Sequence, residues 1–164
     1  MIQIILIILG IWILFGIIIP ILLMPNHYLI KTKSQSPKET KRIISKLKRK
    51  NKQETLKNIY KFTTKQYSSD NPLAKRLKLV FLYPTLFQYD ISKYLKRKQF
   101  LACHQQVYLF KTLLLNTNQF QKKDIQEKTK IQPYLISHKY LIVNTGKEKY
   151  KIDPFFNIFK KLKK

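Results

Sequence analysis

Three residues in this chain could together perform thiol chemistry: Cys103, His138 and Asp153. The thiol is the attacking group, the imidazole takes its proton, and the carboxylate orients the imidazole. Cys103 is the one cysteine of the chain, and it lies in the segment Leu101–Leu115, LACHQQVYLFKTLLL. There Cys103, Val107, Phe110 and Leu114 step by four, three and four, which is one face of a helix with Cys103 at its start. At a helix N-terminus the aligned peptide dipoles lower a thiol's pKa, and the backbone N–H groups of the first turn can hold an oxyanion. Neighbouring His104 points about 100° away from Cys103 on such a helix, and it reads as a surface residue.

His138 and Asp153 fall in a hairpin pattern. In SHKYLIVNTGKEKYKID, the β-prone runs His138–Val143 and Lys149–Asp153 flank the turn-like Asn144-Thr145-Gly146-Lys147. A turn centred on Thr145-Gly146 sets His138 directly opposite Asp153, with Cβ atoms roughly 4.5–5.5 Å apart. The same register collects Leu141, Val143, Tyr150 and Ile152 on one core-facing side. Elimination supports Asp153, because from Phe100 onward the other acids are only Asp124, Glu127 and Glu148. Asp124 and Glu127 sit in the polar run QKKDIQEKTK, which reads as a loop, and Glu148 flanks the turn on the core face.

The elements that must position these residues read as α+β. A basic helix is expected over Pro37–Lys50, capped by Ser36, and a second over Glu54–Tyr67. Leu73–Leu82 and Ile91–Lys98 read as helices, with a break at Tyr83–Asp90. Strands are expected near Ile131–Val143 and over Lys149–Asp153, and the aromatic, basic tail Phe155–Lys164 adds a last strand or short helix. One core suffices for about 125 residues beyond the first helix.

This order of parts resembles the transglutaminase-like superfamily of papain-like thiol enzymes. The matching positions are Cys103 opening an apolar helix, His138 starting a strand, and Asp153-Pro154 closing the next. NKQETLKNIYKFTTKQY, Asn51–Tyr67, is similar to the helix that precedes the family's core. The chain departs from the family's usual residues at Leu101, Lys139 and Tyr140. The resemblance implies a papain-like core of N-terminal helices, a catalytic helix and a small antiparallel sheet over residues 37–164. It implies attack by Cys103 on an amide or ester carbonyl, with His138 as base and Asp153 holding its tautomer. Analogy with the glutamine of papain-like enzymes puts Gln99 beside the oxyanion. The expected activity is that of a cysteine peptidase or amidase on a peptide or protein substrate. The competing expectations are a non-catalytic module of the same fold and a basic membrane-surface binding protein.

Residues 1–24 carry no charged side chain, and they read as a transmembrane anchor about 30 Å long or more, followed by a linker over 25–36. A basic start and a small-residue cleavage site, the marks of a removed signal peptide, are missing. Thirteen Lys/Arg lie from Lys31 to Lys65 against Glu39 and Glu54. That asymmetry predicts a single-pass protein with a cytoplasmic C-terminal domain. Its Lys-rich juxtamembrane segment suits anionic lipid headgroups, at about 1 kcal/mol per residue.

The net charge of +25 also raises nucleic acid as a partner, but only four of the 33 basic residues are Arg, the residue that dominates base readout. A Lys-, Ile- and Asn-rich composition with two Ala is what an AT-rich coding sequence produces, so lipid is favoured over nucleic acid. One cysteine and three scattered histidines offer no zinc spacing, and three glycines form no phosphate loop, so neither metal nor cofactor is expected.

Overall fold

Helices form in this chain where apolar residues recur at helical spacing, and at two of them a polar side chain caps the N-terminus. The computed structural model describes residues 2–14, 38–67, 89–96, 100–132 and 135–163. Among them are five α-helices: α1 (Ile2–Ile13), α2 (Lys38–Leu47), α3 (Lys52–Tyr67), α4 (Ile91–Lys96) and α5 (Cys103–Asn116). A 3-10 turn (Lys122–Asp124) then leads into strands β1 (Ile125–Gln132), β2 (Leu135–Asn144), β3 (Lys149–Asp153) and β4 (Ile158–Lys161). The chain divides into two units, Met1–Lys33 with Lys130–His138, and Ser34–Thr129 with Lys139–Lys164.

In the first unit α1 is apolar apart from Gln3 and has no buried residue; Ile2 is 74% and Trp12 61% exposed. Its 12 residues rise about 18 Å, well short of a hydrocarbon core of about 30 Å. No helix among the described residues is long and apolar enough to cross a membrane. This overturns the single-pass anchor over 1–24, and with it the cytoplasmic placement that depended on the anchor. Pro20, His27 and the linker over 25–36 lie outside the described residues, as does the helix expected over Leu73–Leu82.

The second unit is organised around α5. Asn51 caps α3, its Oδ1 accepting the Glu54 N–H at 2.8 Å, and Asp90 caps α4 through the N–H groups of Ser92 (2.9 Å) and Lys93 (3.2 Å). Helix α3 packs on α5, and α2 packs on α3, α4 and α5. The sequence expects one buried face on α5, but the helix is buried nearly all round. Leu109, Phe110, Leu113 and Leu114 are fully inaccessible, and they share a core with Leu56 and Ile59 of α3 and Leu141, Val143 and Ile152 of the sheet.

The strands form one sheet in the order β1-β2-β3-β4, with β2–β3 and β3–β4 antiparallel. An α+β fold with a small antiparallel sheet is therefore present. A papain-like core behind a transmembrane helix is not shown, and that part of the expectation is corrected. The polar run QKKDIQEKTK is also not a loop. Its second half is β1, where Glu127 accepts an ion pair from Lys111 at 2.6 Å, and Asp124 belongs to the 3-10 turn. Charge concealed this strand, because an edge strand with Lys and Glu along it lacks the apolar alternation used to recognise strands.

Candidate functional site

Cys103 is the first residue of α5, preceded by Ala102 in extended conformation (φ −68°, ψ 165°). An alanine has no side-chain acceptor for the first turn, so the local bonding runs the other way: Gln105 Oε1 accepts the Ala102 N–H at 3.1 Å. Gln106 Nε2 donates to the carbonyls of Leu101 (2.8 Å) and Tyr67 (3.3 Å), which ties the entry to α5 to the end of α3. Leu101, where the family resemblance has glycine, is a core residue at 1% exposure. Cys103 itself is buried, at 8% exposure.

Aromatic side chains flank this end of the helix. The Tyr89 ring lies 5.8 Å from that of His104 and edge-on to Tyr108 at 5.5 Å, and Tyr94 meets Tyr108 at 6.5 Å. His104 is half-exposed, with its ring against Tyr89. Burial, and after it negative charge on Cys103 and Glu127, holds the Tyr89 hydroxyl well above its ordinary value. The Tyr94 hydroxyl is raised chiefly by burial.

Asp153 ends β3 opposite Ile158 of β4 and is 2% exposed. Its Oδ1 accepts the Phe156 N–H at 3.2 Å, fastening the turn into β4. Tyr60, from α3, has its hydroxyl raised by burial and then by the Asp153 charge. His138 lies on β2, is 1% exposed, and closes the Lys130–His138 segment of the first unit, whereas Cys103 and Asp153 belong to the second.

The hairpin register differs from the expectation by two residues. Leu141 faces Ile152 and Asn144 faces Lys149, so continuing the ladder sets Tyr140, not His138, level with Asp153. The turn residues cause the shift. Asn144 stays in the ladder while its Oδ1 accepts the Gly146 N–H at 2.9 Å, and Thr145 donates its N–H to the Glu148 carbonyl at 2.9 Å. The four-residue loop is therefore Thr145–Glu148, with Gly146 at φ +94°. An even shift preserves the faces, and Leu141, Val143, Tyr150 and Ile152 are all buried as the pattern requires. Glu148 is not on the core face. It is half-exposed and engages Lys161, Tyr150 and Gln53.

Gln99 lies outside the described residues. Gln105, Gln106 and Tyr89 are the residues that sequence reasoning missed. Two consecutive glutamines in an otherwise apolar helix were the available signal, since polar residues in such a segment are buried only when they hold backbone groups. No group of three His, Cys, Asp or Glu among the described residues could hold a metal ion.

Compared with known proteins, this chain matches no family model, no curated protein and no solved structure. The resemblance to the transglutaminase-like superfamily is corrected on this finding: Cys103, His138 and Asp153 occur in the family's order without any wider similarity. Three residue types at loose spacing recur by chance far more readily than a whole pattern.

Proposed function

We propose that this protein is a thiol enzyme that cleaves amide bonds, in peptides foremost, through a thioester on Cys103. The observation that carries the reading is Cys103 as the first residue of a 14-residue helix, where the helix dipole favours the thiolate. In the proposed reaction His138 removes the thiol proton, and the sulfur bonds to the carbonyl carbon. First-turn backbone N–H groups bind the oxyanion. His138 returns the proton to the amine as the C–N bond breaks, and water then releases the acid and restores the thiol.

The test is labelling of Cys103 in the folded protein with a small thiol-specific reagent across pH, alongside hydrolysis of a peptide library. The reading predicts labelling that is fast near neutral pH, is slowed in His138→Gln, and parallels a hydrolytic activity absent from Cys103→Ala. Labelling that occurs only after denaturation marks Cys103 as a core residue and overturns the reading, leaving a non-catalytic binding protein.

A further inference from the structure

The end of the β2–β3 hairpin carries a second feature that the thiol chemistry does not use. Asn144, Gly146, Lys147, Glu148, Lys149 and Lys161, with the tail residues Leu162 and Lys163, line a cleft of about 710 Å³. That volume is within the usual range of small-molecule sites. Four of its eight lining residues are lysines, against 33 basic residues in the 164 of the chain, so the cleft is enriched beyond the general Lys bias.

The charge in the cleft is poorly compensated. Its one acid, Glu148, is already committed: it pairs with Lys161 and accepts the Tyr150 hydroxyl, and Tyr150 in turn accepts from Gln53 Nε2 at 2.6 Å. These bonds, to Lys161 first and Tyr150 second, hold the Glu148 carboxyl below its ordinary pKa, so it stays ionised and fixes Lys161 in place. Lys147, Lys149 and Lys163 are exposed, and none has a carboxylate partner among the described residues. The strands set Lys149 beside Lys161 and the start of the tail, because Tyr150 faces Lys161 and the Leu162 N–H donates to the Lys149 carbonyl at 2.9 Å. The space around Gly146 is open, and a Cβ there would meet nothing within 4 Å.

Like charges gathered on one concave surface concentrate anions, and lysine ammonium groups bind phosphate as point charges. We propose that this cleft is a binding site for a ligand bearing clustered phosphates, held by Lys147, Lys149 and Lys163 with Lys161 as the fixed fourth cation. The site is independent of Cys103, which does not line it.

The experiment is calorimetric titration of the full chain with inorganic tripolyphosphate at low and moderate salt, with flotation on phosphatidylglycerol and phosphatidylcholine vesicles as a second arm. The triple variant Lys147→Glu, Lys149→Glu and Lys163→Glu should bind tripolyphosphate at least about 10-fold more weakly. A charge-matched control, Lys41→Glu, Lys61→Glu and Lys65→Glu, should bind like the parent. Unchanged thermal unfolding shows that both variants fold. Phosphatidylglycerol binding that tripolyphosphate displaces identifies the phosphates as headgroups, and its absence identifies a soluble ligand; either supports the cleft. Equal weakening by the control triple, or no weakening by the cleft triple, overturns the proposal.

Discussion

At the start of α5 the polar side chains are committed to holding backbone: Gln105 binds the Ala102 N–H, and Gln106 binds the Leu101 and Tyr67 carbonyls. At the end of the β2–β3 hairpin three of four lysines have no carboxylate partner among the described residues, and the Asn144 and Thr145 side chains bond only backbone groups of the turn. The first region is rigid because its hydrogen bonds are buried, where an unmade bond costs the full desolvation of the group left behind. The second is tolerant because water serves any side chain placed there. A reactive group needs the first environment and an ionic ligand is served by the second, which is why the two proposed sites fall where they do.

Substitutions can break this contrast. The largest effect is expected for Cys103→Ala, which should lower peptide hydrolysis on the order of 10³-fold or more while leaving tripolyphosphate binding unchanged. Gln106→Ala should come next, destabilising the fold by about 2–3 kcal/mol in urea unfolding, because it strips two buried carbonyls of their donor. If Gln106→Ala unfolds like the parent, the start of α5 is not held in the way described. An equally large loss from Lys149→Gln, expected within about 0.5 kcal/mol, would erase the distinction from the other side.

Asp124 lies between these extremes. Its Oδ2 accepts the Gln121 N–H at 3.0 Å and meets Lys52 Nζ at 3.1 Å, and these contacts, the Gln121 bond first, hold its carboxyl below the ordinary value. A depressed folded-state pKa means a stabilisation present above the unfolded carboxyl pKa and lost as pH falls through the folded one. Asp124→Asn should therefore cost about 1 kcal/mol near neutral pH and nothing at strongly acidic pH, read as converging unfolding curves for the two proteins. Gly146→Ala should cost about 1 kcal/mol through its positive φ alone, since the added methyl meets open space. A hairpin that shrugs off this change while losing phosphate affinity would sharpen the contrast, tying the turn to the cleft rather than to the fold.

Much of the fold was legible. The helix over Glu54–Tyr67 appears as Lys52–Tyr67, the strand over Lys149–Asp153 appears with the same ends, and Cys103 opens its helix. In each case a periodic apolar pattern marks the element, and at the Lys52–Tyr67 helix the Asn51 cap agrees with it. The β1 strand and the loop register were not legible, for a shared reason. An edge strand made of Lys, Glu and Gln pairs through its backbone, and a turn is centred by side-chain bonds such as Asn144 to Gly146, and neither leaves an apolar period to read.

The sequence by itself determined which residues could form elements and which faces would be buried, because hydrophobic periodicity acts locally and survives a register error of two. It also presented the thiol, the imidazole and the carboxylate. Only the tertiary structure decided that Tyr140 rather than His138 lies level with Asp153, that Tyr89 and two glutamines surround the start of α5, and that lysines from a hairpin and the chain's tail line one cleft. Those outcomes depend on contacts between residues far apart in the chain, where a hydrogen bond to a turn or a ring against a helix selects among arrangements that the local pattern leaves equal in energy.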